Sequence, residues 1–357
     1  MTSTKLFSPI RIRNLELKNR IVCSPMCQYS AQDGVPNNWH LVHLGSRAVG
    51  GTALIIAEAT GVSPEGRISD GDLGIWNEEQ TKAFKPITEF IKSQNSIPGI
   101  QLAHAGRKAS TPAPWQKQID PGKAWTPLAP SAIPFDDNHQ TPSEMAEKDL
   151  DVVRKQFAEA AKNSLQAGFQ VVEIHMAHGY LLNEFLSPLS NHRKDQFGGS
   201  LKNRMRFPLS IAEDIRKMWP GDWPVFVRIS ATDWKEGGWT LDDSVIFCKE
   251  LKKIGIDVID CSSGGSAPDA KITAGPGYQV PFSEEIKRRS EILTAAVGII
   301  TEAKQAESIL QKNQSDLIVM ARELLRDPYW PLHAALELNV DVPWPVQYER
   351  AKRAKRT

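Results

Sequence analysis

Eight times along the chain, a short apolar and β-branched run is followed by a polar turn and then by an amphipathic stretch with helical spacing. The runs fall at 21–24, 53–58, 98–103, 171–175, 225–229, 258–261, 295–297 and 317–320. Near-continuous apolar character is what a strand needs when both of its faces are covered. The stretches between the runs carry helix signals. Asn77 reads as an N-cap with Gln80 three residues on, ahead of an apolar face of Ala83, Phe84, Ile87, Phe90 and Ile91. Val153, Phe157, Ala160, Ala161 and Leu165 make a second face, and Gly168 is a natural stop behind it. Thr240 and Thr301 are expected to cap two more helices. Eight β–α units in one chain predict the α/β class and a (β/α)8 TIM barrel. An open α/β sheet is the alternative fold, but no G-x-G-x-x-G follows the first run.

Two segments exceed a minimal barrel. Residues 10–20 alternate and predict an N-terminal β-hairpin cap that closes the bottom. Residues 110–142, after strand three, form a long Pro-rich insertion with Trp115 and Trp125, and a connection of that length is expected to act as a lid. No interior boundary breaks the pattern, so 1–357 is expected to be a single barrel domain with 344–357 as a C-terminal tail. Pro208, inside the helical run 201–219, is expected to kink that helix or to start a new one.

Charge and composition exclude several classes. Lys and Arg together number 43 and Asp and Glu 42, a net charge of +1, whereas a nucleic-acid binder needs a basic surplus; only the tail at 350–356 has one. With 41% hydrophobic residues the chain is not a disordered one. No apolar run reaches the roughly 20 residues of a membrane helix, and residues 1–6 hold no signal-peptide stretch. Cys23, Cys27, Cys248 and Cys261 form no C-x-x-C pair, which argues against a zinc or iron–sulfur site. Free thiols fit a reducing cytoplasm.

In a barrel the chemistry gathers at the C-terminal ends of the strands. Ser24, Pro25, Met26, Cys27 and Tyr29 follow strand one, and Ala59 follows strand two. Gln101 ends strand three, with His104, Arg107 and Lys108 beyond it. His175 ends strand four, ahead of His178 and Tyr180, and Arg228 lies near the end of strand five. Residues 262–265 follow strand six, Gly298 follows strand seven, and Ala321 and Arg322 follow strand eight. Gly298 alone is an ordinary turn glycine, but paired with Arg322 at those two strands it suits a phosphate. His175 and His178 have the H-x-x-H spacing of metal ligands, with Glu173 as a weak third candidate; equally, they are two neutral donors to one developing oxyanion. His40 and His43 read as a structural helix start. Arg228 in an apolar strand requires an anion, either an acidic neighbour or an anionic cofactor. Cys27 is either a buried thiol or a group beside a ligand.

These residues lie in motifs. The longest is E-I-H-M-A-H-G-Y-L-L-N-E-F-L-S-P-L-S-N-H-R-K-D-Q-F-G-G-S-L-K-N-R-M-R at 173–206. Others are S-P-M-C-Q-Y at 24–29, G-I-Q-L-A-H-A-G-R-K at 99–108, F-V-R-I-S at 226–230, R-E-L-L-R-D-P at 322–328 and Q-Y-E-R at 347–350. In this order, and over essentially the whole chain, they resemble the Old Yellow Enzyme family of FMN-dependent ene-reductases, in its thermophilic-like, xenobiotic-reductase branch.

The resemblance implies non-covalently bound FMN and NADPH (or NADH) as hydride donor. It implies hydride transfer through flavin N5 to the β-carbon of an activated alkene, with nitro compounds, nitrate esters or quinones as further acceptors. Carried over by motif, Ser24, Pro25, Met26 and Cys27 flank the isoalloxazine, Ala59 and Gln101 meet its pyrimidine end, and Arg228 lies near N1. Gly298, Ala321 and Arg322 take the phosphate. His175 and His178 bind the substrate oxygen, Tyr180 protonates the α-carbon, and Tyr29 lines the substrate pocket. Arg350 matches an arginine that reaches a neighbouring subunit's site, which implies a homodimer or homotetramer. No metal is implied. Ala321 stands where glycine is expected, and Phe197 where tyrosine is commoner. A flavin-free barrel enzyme acting on a phosphorylated metabolite is the alternative reading. A dienoyl-CoA reductase of the same fold would carry a cysteine cluster and a further nucleotide-binding domain, which this chain lacks.

Overall fold

All eight apolar runs become strands of one closed parallel barrel. The computed structural model describes residues 4–352. The strands are β1 (Ile21–Cys23), β2 (Leu54–Gly61), β3 (Ile97–Ala103), β4 (Val171–Met176), β5 (Val225–Ser230), β6 (Val258–Ser262), β7 (Leu293–Ala296) and β8 (Leu317–Met320). Each pairs with the next, and β8 returns to β1 with Ile318 opposite Ile21. The principal helices on the outside are Asn38–Val49, Glu78–Ser93, Glu147–Gln166, Leu201–Met218, Leu241–Ile254, Val280–Ser290 and Ala303–Gln311.

The strands are apolar on both faces for a reason the packing makes plain. Ile55, Val172, Ile174, Val227, Ile259 and Ile318 join the core against the helices. Their neighbours Leu54, Ile56, Val171, Phe226, Val258 and Leu317 fill the barrel interior. Above its lower end the interior turns polar on three adjacent strands, β4, β5 and β6, while Ile56, Val297 and Val319 keep it apolar elsewhere. Two residues on from Val171, Phe226 and Val258, on the same face by the strand period, stand Glu173, Arg228 and Asp260. A hairpin, Ile10–Ile12 paired with Leu15–Leu17, seats Ile12, Leu15 and Leu17 against the lower layer.

Several local expectations need correction. Ala59 does not follow β2 but lies inside it. A bulge between Ala57 and Ala59 shifts the register and sets Ala59 opposite Gln101, the kind of irregularity that re-aims side chains beside active sites. Thr301 is not the cap. The helix begins at Ala303 after Glu302, and the Thr301 N–H instead donates to Gln305 Oε1 at 3.1 Å. Pro208 neither breaks nor restarts its helix, which runs unbroken over Leu201–Met218; buried packing outweighs the one missing hydrogen bond. Phe90 is 38% exposed, while Phe84, Ile87 and Ile91 are buried.

The insertion 110–142 has little regular structure beyond Pro121–Lys123 and Leu128–Ala129, which pairs with Ser143–Glu144. Trp125 Nε1 donates to the Glu65 carbonyl at 2.9 Å, and Arg67 lies over its ring. Trp115 is 66% exposed, with its ring edge-on to Tyr29 at 5.7 Å. Residues 1–3 and 353–357, which hold the start of the leader reading and most of the basic tail, lie outside the described residues.

Candidate active site

At the upper end of the barrel the polar interior layer meets the loops. Gln101 and Glu173 are in register on β3 and β4, and Gln101 Nε2 donates to Glu173 Oε1 at 2.7 Å. Arg228 is in register with His175 on one side and Asp260 on the other. Its Nη1 donates to Ser24 Oγ at 3.0 Å, and its Nε lies 3.3 Å from Asp260 Oδ2. Both alternatives for Arg228 therefore survive, because an acidic neighbour is present and the guanidinium also faces the β1 loop.

Beyond β4 the chain turns sharply. His178 has φ +61° and Gly179 φ +72°, and the left-handed region is unfavourable for a histidine. The surroundings hold it there. Its N–H donates to Ser230 Oγ at 2.9 Å, its carbonyl accepts from Lys108 Nζ at 2.8 Å, and the Gly179 N–H donates to Asn183 Oδ1 at 2.8 Å. The fit is tight, since a Cβ on Gly265 would come within 2.6 Å of the His178 backbone. The turn brings the His178 ring edge-on to His175 at 5.2 Å, with Tyr180 edge-on to His175 at 5.0 Å. His178 Nε2 lies 2.6 Å from Ser262 Oγ.

Burial, and then the positive charge of Arg228, hold both imidazoles well below the usual histidine range. They are neutral at pH 7, each with one N–H to give. Burial pushes the Tyr180 phenol well up, so it keeps its proton. Burial, followed by the charges of Asp72 and Glu58, raises the Cys27 thiol well above its ordinary value. Cys27 is a thiol rather than a thiolate nucleophile. Burial lowers Lys108 to about 8. Among the described residues no group of three His, Cys, Asp or Glu side chains is arranged to hold a metal ion. His40 accepts from the Asn37 N–H as part of a capping box, a structural role.

A cavity of about 390 Å³ runs from Arg228 and Ser262 to Gly298, Ala321 and Arg322. Its residues fit a flavin phosphate. Arg322 is exposed at the rim with no hydrogen-bond or ion-pair partner among the described residues. Gly298 has φ +127°, open to glycine alone, and a Cβ there would come within 3.0 Å of Gln279 Nε2. Ala321 has φ −109°, so alanine meets no left-handed strain at that position. Buried His175 Nδ1 and Arg228 Nε make no hydrogen bond, a cost that a bound polar group removes. A larger groove of about 550 Å³ lies at the opposite end of the barrel, along Lys18, Gly51, Asn95 and the chain from Val340 to Gln347, away from these groups. Arg350 sits on the exposed turn Glu349–Ala351 and is not brought to the other site residues within the chain.

Ser230, Asn183 and Asp260 complete the site beyond the residues singled out from sequence, while Lys108 and Ser262, read there as following their strands, take the partners given above. Asp260 carried a readable signal, an acid in an apolar strand beside the strand of Arg228. Ser230 and Asn183 carried none.

Five buried carboxyls set a pH response. Burial raises Glu58 and Glu184 to about 8 and Asp72 to about 7, and it raises Glu173 and Asp260 as well. The unfolded chain loses these protons first, so their contribution to stability is lost as pH rises towards the folded values. The depressed histidines act below about 6.5, in the opposite sense. The flavin-free protein should therefore melt at a lower temperature at pH 8 than at pH 6.5. A melting temperature that rises over that interval contradicts neutral buried carboxyls.

The family model described as NADH:flavin oxidoreductase / NADH oxidase matches residues 5–341. The chain is 48% identical over 353 residues to an NADPH dehydrogenase of Geobacillus thermodenitrificans (strain NG80-2), covering 98% of this chain and 99% of that one. It is 49% identical over 348 residues to an NADPH dehydrogenase of Bacillus subtilis (strain 168), covering 97% and 98%. Among solved structures, morphinone reductase superposes with a TM-score of 0.80 at 25% identity, over 96% of this chain and 91% of that chain. The old yellow enzyme homologue from Zymomonas mobilis does so at 0.79 and 26%, over 96% and 95%. No helix among the described residues is long and apolar enough to cross a membrane. The flavin-free reading falls with these matches: the chain belongs to the NADH:flavin oxidoreductase / NADH oxidase family, that of the Old Yellow Enzymes, and is an FMN-dependent NAD(P)H oxidoreductase.

Proposed function

We propose that this oxidoreductase uses NADPH to reduce activated alkenes such as α,β-unsaturated carbonyl compounds. The observation that carries the reading is the cluster of two neutral imidazoles, 5.2 Å apart, beside a phenol that keeps its proton. FMN, when bound, supplies hydride transfer between nicotinamide and substrate. Ser24, Pro25, Met26, Cys27, Ala59, Gln101 and Arg228 would hold the ring, and Gly298, Ala321 and Arg322 the phosphate. Arg228 would offset negative charge that develops near it. His175 and His178 would donate to the carbonyl oxygen, where charge grows as the β-carbon is reduced. For His178 Nδ1 to donate, Ser262 must give its proton to Nε2, a role the 2.6 Å contact permits. Tyr180 would protonate the α-carbon, and Tyr29 would line the pocket beside Trp115.

Nitro compounds, nitrate esters and quinones suit the same donors. NADPH is favoured over NADH by the relatives named NADPH dehydrogenase. Cys27 and the tryptophan-bearing insertion support the thermophilic-like branch. We read 1–357 as one barrel domain, with 110–142 as a lid-like wall and 344–357 as a tail. Exposed Arg350 would act only in a second copy, in a homodimer or homotetramer. The free cysteines suit a cytoplasmic setting.

An anaerobic visible spectrum tests the reading. NADPH should bleach the flavin band and 2-cyclohexenone should restore it. A band that stays bleached after the enone overturns the alkene assignment.

A further inference from the structure

Beside two of the side chains assigned to the flavin ring, Gln101 and Arg228, lie two buried carboxyls that the proposed chemistry does not use. Glu173 is 0% and Asp260 1% exposed. Glu173 stands beside Gln101 and takes its amide N–H at 2.7 Å. Asp260 stands beside Arg228, with Oδ2 at 3.3 Å from Nε. Glu173 Oε2 and both Asp260 oxygens accept no hydrogen bond. One guanidinium thus serves two buried acids.

The other elements pair no second cation with these acids. Ser24 from the β1 loop is neutral, the imidazoles of His175 and His178 are neutral, and Lys108 donates to the His178 and Gly265 carbonyls rather than to either acid. Two ionised carboxylates would leave a net negative charge in a dry interior, which is strongly unfavourable. Burial and the charge of Asp260 push Glu173 up, and burial does the same to Asp260.

We propose that Glu173 and Asp260 are the positioning residues of Gln101 and Arg228, and that the two acids hold a single proton between them. The proposal rests on the reading of Gln101 and Arg228 as flavin contacts. With its NH2 held by Glu173, Gln101 keeps Oε1 free as an acceptor. With the proton in place, the two acids and Arg228 sum to zero charge. When the proton leaves to solvent at higher pH, one negative charge remains under the cofactor, and adding electrons to the cofactor becomes harder.

The test is the midpoint potential of bound FMN from pH 6 to 9, with FMN affinity from quenching of flavin fluorescence. Glu173→Gln mimics the protonated acid and cannot ionise. Its potential should match wild type at pH 6 and lie above it at pH 9. Curves that run parallel at every pH overturn the shared proton. Glu173→Ala should weaken FMN binding about tenfold, the scale of one hydrogen bond, and Glu173→Gln should restore it. Equal affinity in wild type and both variants overturns the positioning role. If Glu173→Ala does not fold, Glu173→Gln alone decides through its potential. Arg228→Ala separates the two levels. If it changes neither affinity nor potential, the reading of the flavin site fails. If it changes them while Glu173→Gln runs parallel to wild type, only the present proposal fails.

Discussion

Tyr180→Phe should slow the reduction of 2-cyclohexenone by about 10²–10⁴-fold, the range for a lost general acid, while bleaching by NADPH proceeds at nearly its normal rate. The substitution keeps the ring that packs edge-on to His175 at 5.0 Å and removes only the hydroxyl. That hydroxyl is protonated across the working pH range, because burial raises the phenol well above its ordinary value. A phenol is a weak acid towards water but an adequate one towards a carbanionic carbon. The first half of the cycle needs no proton from it. Rapid mixing with NADPH alone, then with enone alone, separates the two halves. Equal losses in both would remove Tyr180 from the proton-donor role and make it a packing residue.

His175→Ala should cost about 10²–10³ in the enone half-reaction, as loss of an oxyanion donor does elsewhere, and should weaken binding of phenolic ligands. Burial, and then the charge of nearby Arg228, keep the imidazole neutral, so the loss should be similar at pH 6 and pH 8. A residue acting as imidazolium would give a loss that fades as pH rises. Unchanged phenol binding would count against the role altogether. His178→Ala carries a second cost, since its backbone occupies a left-handed turn locked by Ser230 and Lys108. His175 is therefore the cleaner test.

Most of the barrel was legible because strands covered on both faces read as apolar runs whatever their partners. The residues that break those runs, His175 and Arg228, were legible for the same reason: a polar group in an apolar strand needs a partner. Which partner was not legible. Asp260 meets Arg228 only because β6 lies in register with β5, and register is a property of two segments. The bulge that sets Ala59 opposite Gln101 is equally invisible, since an extra residue in a strand looks like one more apolar position. Thr301 failed as a cap because Gln305, one turn later, supplies the bond from the other direction. Pro208 failed as a breaker because its buried helix is fixed by neighbours on several sides. Arg350 was found only by resemblance; nothing local marks an exposed arginine on a tail.

The ring of hydrogen bonds closes where β8 meets β1, the last strand of the barrel with the first. During synthesis β1 must wait for β8 to leave the ribosome, and until then it is an edge with free N–H and C=O groups. Six strands arrive in the interval, each adding a new edge beside the last. The growing sheet is therefore a template for wrong pairing throughout its own manufacture. The hairpin at 10–17, made first, is already there to seat against the lower layer as it forms. Completing the barrel removes both edges in a single event, so a chain cut short of Leu317 keeps two of them permanently and has aggregation as its ready outlet.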